Sequence, residues 1–466
     1  MNKRHQQLNS TLLAALLIFA VSLIATGCNS QNETDHASAT TLSTDPLIES
    51  PQSASDVLTN EISDLEKQAL ALESENRLDE AATVREKLHG VISSNTPDNS
   101  WQAKTAQELA QAARQKAELD PQKQSLLEQG KQLLTRLPNQ ISSGNTQLAR
   151  TTAENIISNY QRVYGIKSLP VAQVLVQVAN HEYKSTDTTD DAITHFHRAI
   201  ETFKKLDLND HPQLEEAYMG LGALYVRKKK FKPAISNQKA AARIAVNVWG
   251  ENSINYADQA NQLGVMMHAS GQTEDALQVL LAAAAIRSKV LGAKDPKVAH
   301  SLFNVATVQQ DLKQFNEAIQ SYSRARASFI ANDSPDAIPY INKCNSNLAT
   351  ILMLQNRLAA AEQVLAEMLA TAESSNSSPT HIALCKYRYS IALARQGKYD
   401  KAQPLMQQAI QAQQQNLGIQ HPETIKTMEA YALLLKTTNQ TAEAEQVFGV
   451  IKQVSFEEEE SNDFER

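Results

Sequence analysis

Small apolar residues punctuate this chain at a nearly constant interval. Ala149, Ala192, Ala234, Ala276, Ala318, Ala361, Ala402 and Ala444 follow one another at steps of 43, 42, 42, 42, 43, 41 and 42 residues. Around each of them apolar positions recur three or four residues apart, the spacing that puts side chains on one face of a helix. Self-similarity at such a period means one supersecondary unit stacked many times. One helical hairpin cannot bury its own apolar stripe, so the stack holds together through neighbours and presents surface rather than a chemical pocket.

The unit around Ala234 reads Tyr218, Leu221, Gly222, Tyr225, Phe231, Ala234 and Ala241. Later units keep Leu263, Gly264, Gly271 and Ala283, then Val305, Ala306, Phe315, Tyr322 and Ala325. Leu348, Ala349, Leu358 and Leu365 follow, then Gly397, Tyr399 and Ala409, then Ala432 and Phe448. Two antiparallel helices approach closely only where side chains are small. This predicts Gly222, Gly264, Ala306 and Ala349 at the crossing on each first helix, opposite the recurring alanines on the second. Gly271 and Gly397 fall at the turn between the two, where a positive φ suits glycine. Asn180 and Ser390 stand where a small residue is expected, and Pro233 fits only if it lies in the first turn of its helix.

This pattern, an aromatic-x2-Leu-Gly-x2-Tyr helix followed by a helix centred on alanine, resembles the tetratricopeptide repeat. The period of 42, the loops Trp249-Gly250-Glu251, Leu291-Gly292 and Leu417-Gly418, and the asparagines of Asn304-Val305-Ala306 and Asn347-Leu348-Ala349 resemble the kinesin-light-chain type. The resemblance covers residues 140 to 452. It implies an all-α, right-handed solenoid of antiparallel helix pairs, with about seven or eight repeats between residues 138 and 454. It also implies a concave channel lined by first helices, where Asn261, Gln262, His300, Asn304, Lys343, Asn347, Arg388 and Lys426 are the candidate peptide-binding residues. Amide side chains can bond an extended peptide backbone of any sequence, and Lys or Arg can hold a carboxylate. The alternative for Asn304 and Asn347 is a structural role, bonding helix ends or neighbouring turns.

Residues 1–27 look like an export signal. Lys3 and Arg4 precede an apolar run from Leu12 to Ala25, too short for a comfortable membrane span. The run ends Ala25-Thr26-Gly27-Cys28, which resembles a bacterial lipobox, with Cys28 the lipidated residue and Asn29 implying the outer membrane. The expected location is the bacterial cell envelope, lipid-anchored and facing the periplasm. Residues 28–56 are rich in Ser, Thr, Asn, Gln and Asp and read as a disordered tether. Its typical reach is about 30 Å. Residues 57–137 read as a helical N-terminal cap region, either packed on the array or separate from it. The acidic stretch 455–466 reads as a disordered tail.

The formal net charge is −7, and loss of Lys3 and Arg4 with the signal makes it more negative still. A basic face for nucleic acid is not expected. The cluster Arg227-Lys228-Lys229-Lys230 reads as a solvated turn. The sequence has no Gly-rich phosphate loop, nucleophile elbow or His-Glu-x-x-His run, so no enzyme, metal, cofactor or small-molecule substrate is expected. His195 and His197 point apart on a helix and read as surface histidines. Cys344 and Cys385 occupy equivalent places on neighbouring helices, too far apart to bridge, and read as buried free thiols. The expectation is a non-enzymatic scaffold that binds a peptide or protein in its groove. The alternative is an accessory subunit that joins an envelope assembly through its convex face.

Overall fold

The computed structural model describes residues 54–464, apart from 98–99, 333 and 376. Every regular element among them is helical: 19 α-helices and one short 3-10 turn at Pro335–Ala337. The chain is an all-α repeat solenoid. Its contacts divide it into two compact units, split between Val279 and Leu280.

The first unit holds α1 (Ala54–Ser74), α2 (Leu78–Asn95), α3 (Trp101–Ala117), α4 (Pro121–Ser142), α5 (Thr146–Tyr164), α6 (Leu169–Glu182) and α7 (Thr189–Lys205). It continues through α8 (Pro212–Arg227), α9 (Phe231–Trp249), α10 (Ile254–Ala269) and the start of α11 (Thr273–Leu291). The second unit holds the rest of α11, then α12 (Pro296–Asp311), α13 (Phe315–Ala331), α14 (Ile338–Leu354) and α15 (Leu358–Ser374). It ends with α16 (Pro379–Arg395), α17 (Tyr399–Leu417), α18 (Pro422–Thr437) and α19 (Thr441–Phe464).

Each recurring alanine is the fourth residue of the second helix of its pair, and each is at most 1% exposed. Its amide makes the first intrahelical bond, as from Ala149 to Asn145 O, Ala234 to Lys230 O and Ala402 to Lys398 O. The methyl group therefore sits where the second helix leaves the turn and meets the first. A Cβ on Gly222 would stand 3.4 Å from Ala234 O, so at this crossing one side is a bare backbone. Ala81 in α2 has the same place and the same bond, to Arg77 O. The hairpin α1/α2 is thus built like the repeats.

The turn is equally regular. Three residues join α1 to α2, α4 to α5, α8 to α9, α10 to α11, α12 to α13, α14 to α15, α16 to α17 and α18 to α19. Five positions before the alanine the backbone has positive φ: Asn76, Gly144, Lys229, Gly271, Lys313, Asn356, Gly397 and Asn439. The exception is the turn from α6 to α7, which is six residues long and is tied by Thr188 Oγ1 donating to Glu182 O at 2.6 Å. The longer loop displaces the register. Ala179, fully buried, fills the small position, and Asn180 points instead to Glu216 of α8, donating at 2.7 Å. The expectation of a departure at Asn180 came from counting back from Ala192 through this loop.

Other sequence expectations meet different outcomes. Ser390 is fully buried, and its hydroxyl donates to Tyr387 O at 2.6 Å, which satisfies the polar group inside the crossing. Pro233 is the third residue of α9, within its first turn. The expected boundary at 137/138 falls inside α4, whose second half already belongs to the first repeat. The acidic stretch 455–466, expected to be disordered, continues α19 as helix through Phe464.

The N-terminal helices pack on the array. Trp101 of α3 lies edge-on to His211 with centroids 6.2 Å apart, and Gln115 donates to Val163 O at 2.9 Å. Lys104 pairs with Asp207. The core of the first unit runs through Leu137, Ile156, Val174, Phe196, Phe203 and Leu221. The second unit has smaller clusters, one around Leu365, Met368 and Cys385 and one around Met406, Leu434 and Leu435. Among the described residues no helix is long and apolar enough to cross a membrane, and no cluster of His, Cys, Asp or Glu could hold a metal. The signal at 1–27, Cys28 and the tether up to residue 53 lie outside the described residues.

Candidate functional site

Counted back from each repeat alanine, the candidate residues fall on a few positions of the first helices. Gln262, Asn304, Asn347 and Arg388 lie fourteen residues before it, and His300, Lys343 and Lys426 lie eighteen before it. Asn261 lies fifteen before. Positions four apart share a helix face, so within the second unit the first two sets form one stripe.

The structure sorts this stripe by depth. In the first unit Gln262 of α10 is exposed and Asn261 half-buried. In the second unit Lys343 of α14 and Lys426 of α18 are exposed, while His300, Asn304, Asn347 and Arg388 are half-buried. Asn347 donates to Tyr322 Oη of the preceding repeat at 2.8 Å. That hydroxyl also donates to Gln310 Oε1 at 3.1 Å and lies 3.2 Å from Thr307 Oγ1. Asn347 thus has the structural bond that its alternative reading described. Arg388 donates to Ser346 Oγ, which joins α16 to α14.

Position eighteen before the alanine carries a different chemistry. His300 lies edge-on to Tyr340 and Phe329, with centroids 4.3 and 5.0 Å away, and those two rings stack on each other. Burial, then the nearby Arg287 charge, hold the His300 imidazole below its ordinary range. The Lys343 ammonium sits 5.3 Å over the Tyr340 ring. His300 and Lys343, from adjacent repeats, therefore share one aromatic platform. Nothing in the described geometry draws Lys426 into it.

The sequence reading left out two cations of the same helices. Lys386 reaches Gln408 Oε1 at 2.8 Å and Glu373 at 3.6 Å. Arg395 donates to Met353 O at 3.1 Å, at the end of α14. The signal was available: neither α14 nor α16 contains an acidic residue. What the surface offers is donors and cations beside aromatic faces, suited to carbonyl and carboxylate groups.

The histidines set aside as surface residues divide. His197 is exposed and lies 3.1 Å from Tyr225 Oη. His195, at 3% exposure, is buried between Glu182 Oε2 at 2.7 Å and Glu154 Oε1 at 3.1 Å. A helical wheel tells which residues share a face but not which face the neighbouring repeat covers. Burial works to lower the His195 pKa, but the bonds and charges of the two carboxylates outweigh it and raise it. His211 and His421 cap α8 and α18, each accepting through Nδ1 from the backbone amide two residues on. Cys344 and Cys385 are free and buried, and burial pushes the thiols up to about 12 and about 11.

Over residues 177 in length, 28% identity links this chain to a clustered mitochondria protein homolog of Aedes aegypti, covering 38% of this chain and 12% of that protein. The human homolog is 22% identical over 220 residues, covering 47% of this chain and 16% of its own. The chain thus spans less than a fifth of the length of these curated relatives. Among solved structures, a Podosopora anserina kinesin light chain with nearly identical TPR-like repeats superposes with a TM-score of 0.40 at 18% identity, covering 44% of this chain and 97% of that one. BtubC from P. vanneervenii gives 0.42 at 18% identity, covering 52% and 93%. Tetratricopeptide repeat family models match residues 170–245, 256–331 and 381–449, and a second such model matches 344–382. Together they cover more than half of the sequence, and this chain belongs to the tetratricopeptide repeat proteins.

Proposed function

We propose that this protein is a lipid-anchored interaction scaffold of a bacterial envelope, held at the outer membrane through Cys28 and taking a peptide or protein on its first-helix face. Tetratricopeptide repeats generally mediate protein–protein interaction and typically do no chemistry. The observation that carries the finer reading is the stripe on α14 and α16. Lys343 is exposed beside Tyr340, and Arg388 is already steered by Ser346. Side chains fixed before binding lose less entropy when a partner arrives.

Crosslinking with pull-down in the native host tests this. Contacts mapping to first helices support the reading, and contacts confined to second helices favour an assembly subunit that uses its convex face. The Asn304→Ala/Asn347→Ala double variant should weaken capture. Unchanged capture with unchanged thermal stability would sink the role of those two asparagines. For the anchor, Cys28→Ala should abolish fatty-acid labelling and release the chain from membranes.

A further inference from the structure

We propose that α14 and α16 form a docking face for the acidic C-terminal segment, residues 455–466, of a second copy of this chain; the idea rests on the first-helix binding reading above. In a protein of net charge −7, these two helices carry Lys343, Lys386, Arg388 and Arg395 and no acidic residue. Among the described residues Lys343, Arg388 and Arg395 have no carboxylate partner: their contacts are a tyrosine ring, a serine hydroxyl and a backbone carbonyl. Lys386 lies two residues from Arg388, turned to the other side of α16, and is paired with Glu373 of α15. The three cations without ion partners form a surface awaiting opposite charge.

The chain contains that complement. Residues 455–466 hold Glu457, Glu458, Glu459, Glu460, Asp463 and Glu465 against a single Arg466, with Phe456 and Phe464 at their edges. The aromatic groups match a face that includes Tyr340. The helical backbone leads residues 455–464 of this run past the end of α18. α19 is 24 residues long and packs on α18, which has 16. Its last two turns therefore overrun their support by roughly 12 Å. A continuous helix carries them onward instead of folding back across α16. One segment entering one face of the next copy is a heterologous contact, which closes into a dimer if reciprocated and otherwise forms short chains.

Sedimentation equilibrium of the full chain in detergent tests this at low salt and at about 0.5 M salt, where screening shortens charge interactions to a few ångströms. The expected result is self-association that salt reverses. Two charge reversals should each give monomers: Arg388→Glu with Arg395→Glu on the face, and Glu457→Lys through Glu460→Lys on the tail. Mixing the two reversed chains should restore association, which a misfolded variant could not do. A wild-type chain that stays monomeric overturns the proposal, as does association that survives either reversal, or a mixture that fails to reassociate. Monomers whose tail reacts only with their own α16 on crosslinking overturn it as well. If the wild type is monomeric but the face reversal still abolishes capture of a host partner, this inference alone has failed and the binding face stands.

Discussion

The Phe196 ring occupies the space that a side chain on Gly220 would need. An ideal Cβ there would stand 2.6 Å from Phe196 Cε2 and 3.0 Å from Cε1. Phe196 lies four residues after its repeat alanine, and Gly220 lies fourteen before the next one. Tyr322 and Asn347 stand in the same two positions of the second unit, joined there by a hydrogen bond. The seam between repeats is thus filled by a ring over a glycine in one place and a hydroxyl against an amide in the other.

Gly220→Ala is therefore expected to cost about 1–3 kcal/mol, the range for forcing a methyl into a packed interior. Gly222→Ala, whose new atom would meet its nearest neighbour at 3.4 Å, should be nearly neutral, because better helix propensity offsets the contact. Urea midpoints followed by circular dichroism decide this. Equal effects at the two sites would contradict it.

Lys229 and Lys313 adopt the left-handed conformation at the turn position held by glycine or asparagine in most other pairs, with φ of 56° and 60°. Lysine there is strained, while glycine is not. Lys313→Gly should raise stability by about 0.5–1 kcal/mol, a reversal of the usual cost of adding glycine. A lowered melting temperature would show that the lysine side chain contributes more than its backbone loses.

The repeat spacing made the helix pairs legible, since a buried alanine every 42 residues admits few other readings. Depth and neighbours were not legible. Gly222 could be singled out because it sits in a pattern, whereas Gly220 falls at an unspecified position of that pattern and has its meaning only from the Phe196 ring. Asn180 was misread because one longer turn shifts the count by a residue. His195 was misread because the covering carboxylate, Glu154, comes from the preceding repeat, 41 residues away. Arg395 and Lys386 escaped notice because alignment to a motif looks for residue types at set positions, and their meaning lies in a helix, α16, that carries no acid of its own.

His211 is 5% exposed, and burial lowers its pKa to about 3 from 6.5. The unfolded chain takes up that proton first as pH falls, so the stability this group confers is full above pH 6.5 and is lost down to about pH 3. Glu215 has the opposite sign. Burial raises it to about 7, so the folded state gains relative to the unfolded one as pH drops from 7 towards 4.5. Variants separate the two. The advantage of wild type over His211→Asn, which keeps a capping side chain, should shrink by about 2–3 kcal/mol between pH 7.5 and 4.5. Glu215→Gln should stabilise by about 1–3 kcal/mol at pH 7.5 and little at pH 4.5. Parallel pH profiles for wild type and variants would refute both assignments.

Glu182 is 1% exposed and has His195 as its ion partner. His195→Leu should cost about 3–5 kcal/mol by stranding that carboxylate. Adding Glu182→Leu should recover much of the loss, since an apolar pair of similar volume can replace a buried ion pair. Chemical denaturation of the four chains of this cycle gives the coupling. Additive losses would mean that the pair is not a unit.

The uniform three-residue joint also bears on how such a chain can change its length. A block of coding sequence excised or duplicated between equivalent joints brings each new neighbour the same methyl group, the same backbone twist and the same opening bond. Copy number can then drift without a redesigned junction. The six-residue joint after Glu182 is the exception, and a recombinant broken there would inherit a mismatched seam.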